Sequence, residues 1–178
     1  MEYIGKRISI KRTDGQVSIV ILSTSDKVKK RILFIWFILW SLCGIIVLTQ
    51  YFLIQDPDTK VAVIVWLGFW GYFEYKSFRA LMWRFYGMEK IRIKDRKLSY
   101  KKDVAGKGKV KVYELDFIKD FSVVEKKDDS FFENLNSSYW VIAGEKLTFD
   151  YYGKEIKLGI QLDEADAKAL HKLIKNKI

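Results

Sequence analysis

Cysteine, histidine and proline each occur once, as Cys43, His171 and Pro57. One cysteine excludes a disulfide within the chain, and its place inside an apolar run excludes a thiolate metal site. With one imidazole and that one thiol, Ser-His, Cys-His and His-ligated metal arrangements cannot be assembled from this chain alone. The chain therefore reads as a non-enzyme with no catalytic residues, no metal and no cofactor. His171, among lysines near the end of the last helical segment, is expected on the solvated surface.

Charge is absent from the 23 residues Ile32 to Ile54. At ~1.5 Å per residue a helix of that length covers the ~30 Å hydrocarbon layer of a bilayer. A second apolar run, Val61 to about Ala80, follows after only Gln55-Asp56-Pro57-Asp58-Thr59-Lys60. The pair predicts a two-helix transmembrane hairpin within residues 31–86, helices at about 32–54 and 61–82, and a short external loop over 55–60. A signal peptide does not account for the first run, which is longer than the ~7–15 residues of an h-region and is followed at once by a second. Lys27, Lys29, Lys30 and Arg31 precede the first run, and Lys76, Arg79 and Arg84 cluster at the end of the second. Basic flanks stay on the cytoplasmic side. Both termini are expected in the cytoplasm, and the protein in the cytoplasmic (inner) membrane.

The net charge of +10 is spread unevenly: residues 1–31 hold eight basic and three acidic groups, residues 88–178 hold 20 and 16. A nucleic-acid protein would concentrate its cations on a folded domain, so no nucleic-acid partner is expected. The excess beside the first run is a topology signal with some attraction for anionic lipid.

Residues 1–30 contain two alternating segments around Asp14-Gly15, a strong hairpin turn because both positions accept positive φ. Closing it between Thr13 and Gln16 sets Ile10 opposite Ile19 and Ile8 opposite Ile21, giving one apolar face. An isolated hairpin is marginal in water. That face is expected to pack against the domain after the helices or to lie beneath the membrane surface.

From Met88 the periodicity changes to two. Strands are predicted at 88–94, 97–102, 109–115, 119–126, 138–143, 146–152 and 154–160, with tight turns at Asp95-Arg96, Gly144-Glu145 and Gly153-Lys154. The last segment reads as a helix over 163–177, N-capped by Asp163, with Ala167, Leu170, Leu173 and Ile174 on one face. The fold class expected is an α+β membrane protein: a transmembrane hairpin plus a cytoplasmic seven-stranded antiparallel barrel, residues 87–178, closed by a C-terminal helix.

The stretches MEKIRIKDRKLSYKK, VKVYELDFIKDFSVVE and FDYYGKEIKLGIQLDEADAKALHKL resemble the pleckstrin-homology-like domains of bacterial membrane proteins, which follow a pair of N-terminal membrane helices. The layout is also similar to the photosystem I assembly protein family, with Phe117-Ile118-Lys119-Asp120 standing for a matching segment. The resemblance covers about 32–178 and implies a membrane-bound module of complex assembly. The photosynthetic role is not carried over.

Several residues are candidates for contact. Glu74 lies 13 residues after Val61, either in the headgroup zone or in a polar contact within the bilayer, to the first helix near Ser41 or to another protein's helix. Gly44, Gly68 and Gly71 allow close helix approach, between the hairpin's own helices or with a partner's. Trp83 is expected as an interface anchor. Phe131, Phe132 and Leu135, set between charges, are candidates for a partner or membrane contact. Lys94, Arg96, Lys97, Lys101, Lys102, Lys107 and Lys109 surround a Gly-rich loop that either cradles a phosphate-bearing headgroup or is a solvated loop facing anionic lipid. Gly106-Lys107-Gly108-Lys109 is not a P-loop. The expected function is a membrane scaffold or assembly subunit that binds other membrane proteins or itself. The alternatives are an anionic-lipid-sensing module and an accessory subunit of a membrane enzyme or transporter.

Overall fold

The computed structural model describes residues 1–23, 26–124, 142 and 144–177. The chain divides into a β unit, Met1–Ser25 with Trp83–Ile178, and a helical unit, Asp26–Met82.

In the β unit, β1 (Glu2–Ile4), β2 (Ile8–Thr13), β3 (Gln16–Leu22), β4 (Gly87–Lys94), β5 (Lys97–Val104) and β6 (Val110–Glu114) form one antiparallel sheet in chain order. A 3-10 turn, Leu115–Phe117, leads to a second sheet of β7 (Ile118–Val123), β8 (Glu145–Tyr151) and β9 (Lys154–Ile160). Helix α3 (Glu164–Lys175) follows. The expected seven-stranded barrel is thus replaced, among the described residues, by nine strands in sheets of six and three.

Three of the nine, β1, β2 and β3, precede the helices, β2 and β3 being the expected N-terminal hairpin. Its turn and register are as expected: Gly15 has φ +75° and Ile8 and Ile10 lie opposite Ile21 and Ile19. It is not a separate element, because β3 pairs along its length with β4, Val17 with Ile93, Ile19 with Ile91 and Ile21 with Glu89. This pairing supplies hydrogen-bond partners to the edge that β4 would otherwise expose. Ile8, Ile10, Ile19, Ile21, Ile91 and Leu98 line the inner face and share one core with Leu147, Phe149 and Leu158 of the second sheet. Helix α3 closes it with Ala167, Leu170 and Ile174, each fully buried.

The other predicted strands lie within a residue or two of their expected bounds, with two exceptions. The segment 119–126 ends as a strand at Val123, and 138–143 falls outside the described residues apart from Ile142. The last turn is Tyr152-Gly153, φ +53° and +75°, one residue before the expected Gly153-Lys154. His171 is not a solvated residue: its ring stacks on Phe121 at 5.1 Å and its Nε2 lies 2.9 Å from the Phe121 carbonyl oxygen. Trp83 is only 2% exposed, not an interface anchor, and a Cβ on Gly87 would collide with its ring. Arg84, read from sequence as a basic flank, is also buried.

The helical unit holds α1 (Lys27–Tyr51) and most of α2 (Pro57–Tyr86). Asp26 caps α1 by accepting from the Val28 and Lys29 N–H groups at 3.0 Å. Five residues connect the helices, because Pro57 occupies the first position of α2, where its missing N–H costs nothing. The Asp56 carboxylate accepts from Thr59 N–H at 2.8 Å. Among the described residues one helix, α1, is long and apolar enough to cross a membrane. Helix α2 has the length, 30 residues, but Glu74, Lys76, Arg79 and Arg84 in its second half lower its hydropathy, so composition singles out one span where two were expected.

Candidate functional site

The outer face of the six-stranded sheet is set by register. Lys90, Arg92 and Lys94 of β4 stand opposite Lys101, Ser99 and Lys97 of β5. Lys11 of β2 faces Ser18 of β3, and Ser18 in turn faces Arg92. The alternate residues, Ile91, Ile93, Leu98 and Tyr100, are buried. Of the cations anticipated from sequence, Lys94, Lys97 and Lys101 share this face. Lys90, Arg92 and Lys11 were missed, although the alternation in MEKIRIK carried the signal for the first two.

Most of these cations are already engaged. Asp103, whose side chain is 2% exposed, pairs with Lys90 and lies 3.4 Å from Lys101. The Lys90 and Lys101 ammonium groups hold its carboxyl below the usual carboxylate range, against the effect of burial. Arg96, at the β4–β5 turn with φ +54°, is bonded to Asp116, whose carboxyl is lowered in consequence. Lys94 lies 3.5 Å from Asp95. Lys102 falls on the opposite alternation, facing Glu89, and pairs with Glu145 at 2.9 Å.

Lys97, Lys107 and Lys109 are exposed and form no ion pair among the described residues, and the last two lie in the β5–β6 turn. The turn is tightly built: Val104 N–H donates to the Lys107 carbonyl at 2.8 Å, Lys107 N–H returns the bond at 2.9 Å, and Lys101 Nζ donates to the Gly106 carbonyl at 2.9 Å. Gly106 has φ +83°, and a Cβ on Gly108 would strike the Lys102 carbonyl. The turn sits at the end of the sheet where Val104 faces Gly87, and Ala105 N–H donates to the Tyr86 carbonyl at 3.3 Å.

At that same end lies a buried polar hub that sequence reasoning missed. Glu89, 1% exposed, accepts from the Tyr100 hydroxyl, from Ile160 N–H at 2.7 Å and from Gly159 N–H at 3.2 Å. Arg7 donates to the Ile160 carbonyl at 3.0 Å, to that of Gln161, and to that of Leu22 at 2.8 Å. Burial raises the Glu89 carboxyl and lowers the Arg7 guanidinium. Burial also raises the Tyr100 hydroxyl, with the Glu89 charge adding to it. The pair fastens the end of β9 to the first sheet. An even-odd pattern that puts one carboxylate among Ile91 and Ile93 was its only sequence sign.

In the helical unit Ser41 Oγ donates to Glu74 Oε1 at 2.6 Å, the contact named as one of two readings of Glu74. Trp70 Nε1 donates to the Trp40 carbonyl at 3.2 Å, and the Trp70 ring covers Gly44 so closely that a Cβ there would collide. Gly44 therefore joins the two helices. Gly68 and Gly71 do not, since a Cβ on either meets nothing within 4 Å. Phe131, Phe132 and Leu135 lie outside the described residues.

Among the described residues no group of three or more His, Cys, Asp or Glu is placed to hold a metal ion. The geometry offers cationic surface and buried structural polar contacts. No family model, curated protein or solved structure matches this chain.

Proposed function

We propose that the chain is a non-enzymatic integral protein of the cytoplasmic membrane, anchored by both helices, that holds a pleckstrin-homology-like β unit at the membrane as a docking module for other membrane proteins. One observation carries this reading. The two connections between the units leave hydrogen-bonded neighbours, β3 and β4, at one end of the sheet, where Leu22 faces Met88. Four residues separate β3 from α1, and none separate α2 from β4. A domain on one long linker samples a wide volume. A domain held by two short connections from adjacent strands stays close to its anchor, as an assembly factor requires.

The second span is part of the proposal. An unpaired ionisable group deep in a bilayer costs ~2.5–3.5 kcal/mol on insertion scales. The Ser41 hydroxyl bound to Glu74 reduces that cost, and Lys76 and Arg79 extend toward the headgroups on long side chains. Both termini then lie in the cytoplasm.

Purification from native membranes in mild detergent, followed by crosslinking, tests the docking role. A stoichiometric membrane-protein partner is expected. Elution of the chain alone, with no crosslinked partner, would overturn the reading.

A further inference from the structure

We propose that β6, an edge strand of the six-stranded sheet, is the docking surface: it takes an extended segment of a partner protein in which acidic and apolar residues alternate, and adds that segment to the sheet as a further antiparallel strand. The inference rests on the docking role proposed above and gives that role a surface and a recognition chemistry.

The parity of the hydrogen bonds leaves this edge open. Leu115 N–H donates to the Arg96 carbonyl at 2.9 Å, and Val104 and Lys107 exchange bonds at 2.8 and 2.9 Å. In the register that sets Lys101 opposite Val110 and Ser99 opposite Val112, both anchors place Lys111 and Tyr113 in the pairs bonded to β5. The N–H and carbonyl groups of Val110, Val112 and Glu114 then point away from the sheet. Glu114 agrees, since its N–H reaches outward to the Tyr151 hydroxyl at 3.5 Å. Tyr151 closes that end of the edge. Val110 and Val112 are left with their main-chain donors and acceptors in a row, and among the described residues no hydrogen bond reaches them.

The other edges are blunted, as edges of soluble sheets usually are. Strand β1 has three residues. Strand β7 breaks register between Lys119 and Ser122, with Asp120 at φ +49°. The end of β9 is taken up by Glu89, which accepts from Gly159 and Ile160 N–H, and by Arg7, which donates to the Ile160 carbonyl. Strand β6 pairs with β5 over all five of its residues without a shift.

Side chains define the partner. Val110 and Val112 are 58% and 53% exposed, and both lie on the outer face of the sheet. Lys109 and Lys111 fall on the alternate parity and are exposed; with Lys107 they give three cations and no acidic residue between positions 105 and 113. Across a ladder, β-branched side chains stabilise one another, opposite charges attract and like charges repel. A second β6 would bring three more lysines to a run that already holds three. An added strand with apolar residues beside the valines and carboxylates beside the lysines is complementary at every position, and its main chain supplies the missing hydrogen bonds.

The test uses the full chain in neutral detergent and a dye-labelled probe peptide, EVETEVE, read by fluorescence anisotropy. Saturable binding is expected. Val112→Pro removes an outward N–H and no bond to β5, a place where an edge strand tolerates proline, and it should lower affinity at least tenfold. Lys111→Gln should lower it about threefold, and Lys109→Glu with Lys111→Glu should abolish it. A change in the peptide alone reads the same contact. In an antiparallel addition the residues beside Val110 and Val112 turn their own N–H groups to β6, so methylating the Val and Thr nitrogens should abolish binding and methylating the Glu nitrogens should leave it. Unchanged affinity in Val112→Pro would overturn the proposal. So would equal binding of EEEEVVT, which has the same composition and would reduce the effect to charge attraction. Crosslinking in native membranes separates the two readings. A partner retained by Val112→Pro overturns the β6 surface and keeps the docking role, whereas no partner for the natural chain, with the probe still bound through β6, overturns the docking role alone.

Discussion

Glu89 and Glu74 are two carboxyls in apolar surroundings, and their partners make their substitutions behave differently. Glu89 serves three donors at once, so Glu89→Leu strands the Tyr100 hydroxyl and the Gly159 and Ile160 N–H groups. Each unsatisfied buried group costs ~1–3 kcal/mol, so the β unit should lose about 3 kcal/mol or more in chemical unfolding. The pH dependence has a definite sign. Burial raises the folded-state pKa of Glu89 above its unfolded value, so its contribution is complete below the unfolded value, ~4.3, and is lost as pH rises through the folded one. Unfolding midpoints should therefore fall over that range in the natural chain, and the fall should be smaller in Glu89→Gln. A slope unchanged by Gln would assign the pH dependence to other groups. Among the described residues Glu74 has a single hydroxyl partner, Ser41. Glu74→Gln should preserve the hairpin, and Glu74→Leu should weaken it by ~0.6–2 kcal/mol, read by unfolding in mixed micelles.

At the scale of elements, the helix pair depends on one glycine of the three. Gly44→Leu would force the Trp70 ring off α1 at ~1–3 kcal/mol, whereas Gly68→Ala and Gly71→Ala should leave hairpin stability within ~0.5 kcal/mol. Distance measurements between labels on α1 and α2 check both. Element identity was largely legible from sequence because it rests on local patterns: the alternation in MEKIRIK, the Asp14-Gly15 turn that set the Ile8–Ile21 register, the apolar face of α3. What was not legible was non-local. Nothing near Gln16–Leu22 says that it pairs with a strand on the other side of two helices, so the sequence leaves the hairpin outside the barrel, whereas its strands share one sheet with β4, β5 and β6. The change of sheet at Leu115–Phe117 is equally silent, since alternation continues on both sides of it. The same limit applied to the site. Cations were sought in the loop, where Lys107 and Lys109 do stand free, but the face shared by Lys90, Arg92 and Lys11 emerges only once register is known. His171 looked solvated because its neighbours in sequence are lysines, whereas its neighbour in space is Phe121.

For the whole molecule, topology is the measurable claim. Cysteines at Gly15 and Asp58, each in the Cys43→Ser background, should respond differently to an impermeant thiol reagent in intact cells, with Asp58→Cys labelled and Gly15→Cys protected until the cells are opened. Labelling of Gly15→Cys in intact cells would reverse the proposed orientation. The interleaving of the two units also bears on the order of events at the ribosome. Strand β3 is made first, yet its partner β4 begins only at Gly87. About 65 residues must be polymerised in between, several seconds at ~5–20 residues per second. Throughout that interval the N-terminal hairpin has no partner on one flank and no core to cover its isoleucines. The sheet cannot close until the helical unit has left the exit tunnel, so biogenesis of this chain is obliged to deliver its helices before its β unit matures, and a chaperone that shields the waiting hairpin should crosslink to it only on nascent chains stalled before β4 is complete.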